Sequence, residues 1–190
     1  MDLRLSENTF TQKNKFTASS TVNASSTEGT VTILNGGLVA ANNIRGAKVY
    51  NVVWNDFVDR IPIDSNCDLE FGRCYCFDGE KYTKSSEYMQ PGYIGIHSDT
   101  AGFEIGYKGK SKELCCSVAG FVLAYVDRDY KPGTALTCTE DGVLTEMKEE
   151  DKREWPERIV ATYWKDEPSD MWGLGDEKVK VNGRKWVKVR

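Results

Sequence analysis

The chain has little of what most enzymes are built from. His97 is the single histidine among 190 residues, so a histidine general base can only be that residue. The G-x-x-x-x-G-K-[ST] phosphate loop, the G-x-S-x-G nucleophile elbow and the H-E-x-x-H helix are all missing. No apolar run approaches the roughly 20 residues that cross a bilayer, and the opening MDLRLSENTF has no apolar signal-peptide core. The expectation is a chain made in the cytosol, able later to ride on a particle that leaves the cell. Positive charge is in deficit: 25 Lys and Arg against 29 Asp and Glu give a net charge of −4. That balance offers nucleic acid and anionic membrane no general attraction.

Cysteine is present, but not in metal-binding order. Cys67, Cys74, Cys76, Cys115, Cys116 and Cys138 form C-x-C and C-C pairs, without the two C-x-x-C knuckles of a zinc site. Adjacent cysteines on a strand point to opposite faces, so Cys115 and Cys116 do not readily share an ion. Reduced thiols serving as small core residues are expected, with no metal.

What remains is the composition of a soluble globular protein, 39% hydrophobic and 28% charged. Residues 1–35 differ from the rest, being rich in Ser, Thr, Asn and Gly. Phe10, Phe16 and Val22 recur there every six residues, which places them on one face of an extended strand. One such strand cannot bury enough surface to fold alone, whereas several copies wound around an axis can. Residues 1–29 therefore read as the end of a fibre stalk, and 30–190 as the globular domain.

That domain reads as mainly β with one short helix. Thr30–Leu34 is a short strand before the turn at Asn35-Gly36-Gly37. Lys48–Asp59, KVYNVVWNDFVD, reads as a buried strand with Asn55, Asp56 and Asp59 at its end, the first two bracing a turn; Ile61–Phe71 reads as a loop. Arg73–Phe77 and Lys81–Thr83 flank Asp78-Gly79 as a hairpin. Tyr93–His97 is a strand, Ser98–Gly102 a loop, and Phe103–Tyr107 an alternating strand. Leu114–Val126 is buried β broken at Gly120, and Ala135–Thr139 runs extended. Glu146–Trp155 is the helix, stopped by Pro156, and Arg158–Trp164 is a strand. Asn182-Gly183 joins Lys178–Val181 to Arg184–Val189, a hairpin that would set Val179 opposite Trp186 and Lys180 opposite Lys185.

Asp56 and Asp59 stand out among the acids because they follow a buried aromatic run, where desolvation raises a carboxyl pKa. Glu149–Asp151 reads as the solvated face of the helix, and His97-Ser98-Asp99 as a turn rather than a catalytic triad.

KVYNVVWNDFVD together with Pro91-Gly92-Tyr93, Ser98–Phe103 with Ile105-Gly106, and GFVLAYVDRDYKPGTALTC from Gly120 to Cys138 resembles one family. It is similar to the intramolecular chaperone auto-processing domain at the C-terminus of phage pre-neck appendage and tail-spike proteins. The resemblance runs from about Gly36 to Gly173. Phe57 stands where Tyr is common, and Asp59 where Glu is common. The resemblance implies a homotrimer that aligns the upstream fibre and then removes itself by autoproteolysis, in the host cytoplasm, leaving the fibre on the virion tail. It implies a cut between the stalk and the domain, and Asn23–Gly29 is the expected segment. Ser25 or Ser26 could attack its own preceding carbonyl, or Glu28 could activate water, with a carboxylate-dependent cut favoured. Asp56 and Asp59 complete the candidate set. No cofactor is expected; related domains have been linked to ATP, for which this sequence shows no phosphate loop. The alternative is a non-cleaving cap or a glycan-binding tip, with Tyr88, Trp164 and Trp172 as stacking aromatics.

Overall fold

The computed structural model describes residues 55–106, 109, 112–173 and 178–189. The stalk repeats, Thr30–Leu34, the first part of Lys48–Asp59, and Ser25, Ser26 and Glu28 lie outside them.

The described chain is mainly β with one short helix. It is built around β6 (Glu113–Ala124), a strand long enough to serve two sets of neighbours. The first half of β6 pairs with β1 (Asp56–Pro62) on one side and with β4 (Tyr93–His97) on the other. The last residues pair with β12 (Lys185–Val189). From β4 the sheet continues through β2 (Cys74–Phe77) to β3 (Tyr82–Lys84). From β12 it continues through β9 (Ala161–Lys165) and β7 (Ala135–Cys138) to β8 (Leu144–Glu146). All these ladders are antiparallel. The exception among the described strands is β5 (Ala101–Gly106), which runs parallel to β1. A separate two-stranded ribbon joins β10 (Met171–Trp172) to β11 (Val179–Lys180).

The largest core cluster lies where the sheet curls over itself. It joins Cys74, Cys76 and Ile96 from one wing to Val122, Leu136, Leu144, Tyr163 and Val187 from the other. All six cysteines are free thiols; Cys74, Cys76, Cys116 and Cys138 are buried as small core residues. Among the described residues, no helix is long and apolar enough to cross a membrane, and no group of His, Cys, Asp and Glu is placed to hold a metal ion.

Several expectations change. The strand that was to end at Asp59 instead runs through to Pro62, so Asp56 and Asp59 are strand residues, and no turn follows Asp56 in its own strand. Backbone pairing of Ile61 with Leu114 and of Pro62 with Glu113 carries it past the acids. Gly120 does not break β6 but bends it. A Cβ there would lie 2.5 Å from the Asn55 carbonyl oxygen and 2.8 Å from the Asp56 Cα, and φ is +107°, so only glycine lets β1 come this close. The presumed loop at Ser98–Gly102 yields to β5 at Ala101. The helix α1 is confined to Glu149–Glu154, because the Glu146 backbone is committed to Leu136 in the β7–β8 ladder. The strand expected from Arg158 starts at Ala161, after a 3-10 turn at Pro156–Arg158.

The C-terminal hairpin is also corrected. The Asn182-Gly183 turn forms as its residues dictate, with φ of 52° and 73° and Arg184 N–H bonded to the Val181 carbonyl at 3.0 Å. The flanking strands then part: β11 pairs with β10, and β12 enters the main sheet between β6 and β9. Lys185 accordingly meets Asp129 and Asp166, at 2.9 and 2.6 Å, and not Lys180.

Candidate functional site

The head of β1 holds a buried carboxyl group surrounded by hydroxyls. Asp56 is 1% exposed. Its Oδ1 accepts from the hydroxyls of Ser98 at 3.1 Å and Thr100 at 3.2 Å. Those two hydroxyls lie 3.2 Å apart, and Thr100 N–H donates to Ser98 Oγ at 3.0 Å, fixing the turn between β4 and β5. Parallel pairing of β1 with β5 brings that turn to the acid, and the glycine bend in β6 brings Ser117 to its other side.

The cluster is incompletely satisfied. Asp56 Oδ2, Ser117 Oγ and Asn55 Oδ1 are buried without a hydrogen-bond partner. The Ser117 hydroxyl lies beside the carboxyl and favours its charged form, as do Ser98 and Thr100, without completing a well-directed bond to Oδ2. Burial outweighs all three and pushes the Asp56 carboxyl above its ordinary value. A protonated Asp56 can donate toward the Ser117 hydroxyl beside it, an otherwise orphaned acceptor. The arrangement is that of a buried acid whose carboxyl is pushed toward its protonated form, closed to any substrate arriving from bulk solvent.

Asp59 does not join it. Three positions along a strand turn the side chain to the opposite face. Its Oδ1 packs instead against Gly106, 2.4 Å from where a Cβ would stand. Glu104 and Glu113 also have other work: both clamp Arg60, at 2.9–3.0 Å and 2.9 Å, and raise its pKa. His97 is buried, its Nδ1 accepting the Cys115 N–H at 3.1 Å. Burial pulls its pKa from 6.5 down to about 4, so it is neutral near pH 7.

Asp99 turns away from Asp56 into a second buried cluster. Arg184 is 2% exposed and grips both Asp99 oxygens, at 2.7 and 2.9 Å, while also donating to the carbonyls of Val181 and Lys180. The aromatics considered for stacking are engaged in packing: Trp164 against Phe121, Trp172 edge-on to Trp186, and the Tyr88 hydroxyl bonded to Asp151 and to Lys148 N–H. Ser98, Thr100, Ser117 and Arg184 are the site residues that sequence reasoning missed. The S-D-T turn after a strand was the signal available for the first two.

No protein-family model and no curated protein matches the chain. Among solved structures, the crystal structure of the pre-mature bacteriophage phi29 gene product 12 is similar, with 16% sequence identity and a TM-score of 0.43. The likeness covers 82% of this chain and 23% of that one, so this chain spans about a quarter of its length. At this level it carries no residue's role across.

Proposed function

We propose that this chain is the trimerising intramolecular chaperone of a phage tail spike or fibre, removed from the fibre by a cut it makes in itself. One observation carries the reading: an exposed apolar patch on β1, β5 and β6. Phe57 and Phe103 are each 52% exposed, Ile105 47% and Val118 42%. Phe57 and Phe103 are register partners whose rings lie 5.1 Å apart, and Phe57 also pairs with Ala119 beside Val118. Clustered, half-exposed apolar side chains are a liability in a monomer and a contact surface in an oligomer. A homotrimer covers them and lowers the entropic cost of aligning three stalks that gain a core only from one another. The motif resemblance supports the same reading.

In this reading the cut falls within Asn23–Gly29. Glu28 is the acid/base, Ser25 and Ser26 are the candidate nucleophiles, and Asp56 is a second acid at the head of the domain. Nucleotide has no assigned part. Assembly takes place in the host cytoplasm, and the freed fibre remains on the virion tail. The test has two arms. Light scattering after size exclusion should give a trimer, and Phe57→Ser with Phe103→Ser should give a folded monomer; a monomeric parent chain overturns the clamp. A precursor carrying more stalk should shorten on incubation, while its Glu28→Gln and Ser26→Ala variants should not. If both variants are still cut, the assigned site is wrong. A trimer whose mass never changes would instead be the non-cleaving cap.

A further inference from the structure

A cleft of about 370 Å³ opens where the segment before β2, the β4–β5 turn, the end of β6 and the Asn182-Gly183 turn converge. Its volume falls within the range of small-molecule sites, roughly 300–1,000 Å³. We propose that this cleft binds a neutral saccharide. The inference does not depend on the chaperone reading.

Two aromatic rings wall the cleft and neither is free to collapse into it. Phe71 is 46% exposed on one side and stacks on His97 on the other, with ring centroids 4.4 Å apart. Tyr125 is capped by the Arg73 guanidinium at 4.0 Å, and its N–H is tied to the Gly72 carbonyl at 2.9 Å. A fixed, half-exposed ring offers its face to the C–H groups of a sugar ring.

The polar lining supplies both kinds of hydrogen-bonding group. Asp99 is held rigid by Arg184, with each oxygen using one acceptor position on the guanidinium and keeping another. Beyond it, the Lys180 ammonium and the Asn182 amide have no hydrogen-bond partner among the described residues and line the same space. Fixed acceptors beside free donors suit vicinal hydroxyls, which both give and accept.

Charge decides the class of sugar. The ionisable side chains of known sign in the lining are Glu70, Asp99, Lys180 and Arg184, two acids and two bases. Arg73 and Lys84, which pair with Glu70, are shared with Asp141 and Asp68, so the charges around the lining balance as well. The lining therefore selects neither a phosphate nor a cation, and its charged walls exclude a purely apolar guest.

The experiment is an NMR titration of the full chain with glucose, galactose, mannose, N-acetylglucosamine and their disaccharides, with inorganic phosphate alongside. At least one neutral sugar should produce saturable shifts centred on the amides of Phe71, Asp99 and Asn182, with a Kd on the order of 1 mM. Phe71→Ala should weaken that binding about tenfold. Asn182→Gly, which keeps the left-handed turn while deleting the amide, should weaken it without lowering the melting temperature. The proposal fails if no sugar shifts these amides, if phosphate shifts them more strongly than any sugar, or if Phe71→Ala binds as the parent does.

Discussion

One turn, Ser98-Asp99-Thr100, feeds two buried polar clusters that follow opposite rules. On one side Asp99 meets Arg184, which also donates to two backbone carbonyls. On the other, Ser98 and Thr100 reach Asp56, whose second oxygen finds no donor, beside a Ser117 hydroxyl that finds no partner. A buried charge is tolerated where an opposite charge and correctly placed dipoles match it. Where only hydroxyls surround it, the cost of desolvation shifts the group toward its protonated form. The first cluster is thus a clamp between the β4–β5 turn and the start of β12. The second is an acid pushed toward its protonated form, with a carboxyl oxygen to spare.

The harshest way to break this comparison is to open the clamp. Arg184→Met leaves the Asp99 carboxylate largely buried without its cation and should cost about 3–5 kcal/mol. Arg184→Lys should recover only part of that, because an ammonium cannot span both carboxylate oxygens. Urea unfolding measures both. A loss under about 1 kcal/mol for the Met variant would place the pair among ordinary surface bridges.

Next in size is the response to acid, where the neighbour of the turn matters. His97 has its pKa lowered by burial from 6.5 to about 4. The folded state therefore binds its proton later than the unfolded chain does. That contribution to stability is complete above about pH 6.5, declines as pH falls, and is gone once pH drops below about 4. Its full size is about 3 kcal/mol. His97→Phe should flatten unfolding free energy against pH across this window, and a profile unchanged by the substitution would remove His97 as the cause. Asp56 acts with the opposite sign. Its folded pKa is raised, so its contribution is present below 3.8 and lost as pH rises through the folded value.

The uneven legibility of these elements has a physical basis. The β2–β3 hairpin and β4 could be read almost residue by residue because their signals are local. Asp78 Oδ1, for example, accepts the N–H groups of Glu80 and Lys81, both at 2.9 Å. Asn182-Gly183 shows where locality ends. The pair fixed a turn, but β12 left its neighbour because Val187 and Trp186 are buried in cores made by distant strands. Asp56 was visible as an acid in an apolar run. Its partners were not, since Ser98 and Thr100 lie 42 and 44 residues away and meet it only through a parallel pairing that no spacing encodes. The exposed patch was hidden for a related reason: Phe103 and Ile105 alternate as core residues do, yet both stay about half exposed.

A milder test replaces the acid by its neutral isostere. The amide of Asp56→Asn can still accept from Ser98 and Thr100 while donating toward Ser117 Oγ. At pH 7 the variant should be about 1 kcal/mol more stable than the parent, with the Asp56 part of the acid profile removed. A loss of similar size would mean that an ionised carboxylate is what the hydroxyls are there to hold.

The smallest effect separates a structural hydroxyl from a spare one. Ser117 is 1% exposed, and its Oγ makes no directed hydrogen bond. Deleting a buried hydroxyl normally costs about 1 kcal/mol through the bond it loses, but an unpaired one has no bond to lose and carries a desolvation penalty. Ser117→Ala should therefore be neutral or stabilise by less than about 1 kcal/mol, whereas Thr100→Val, which removes a hydroxyl bonded to Asp56 at 3.2 Å, should destabilise. The pair of substitutions changes neither the sheet register nor the clamp at Arg184. If Ser117→Ala proved as damaging as Thr100→Val, Ser117 would be a full member of the Asp56 cage. The contrast between a satisfied and an unsatisfied cluster on one turn would then dissolve.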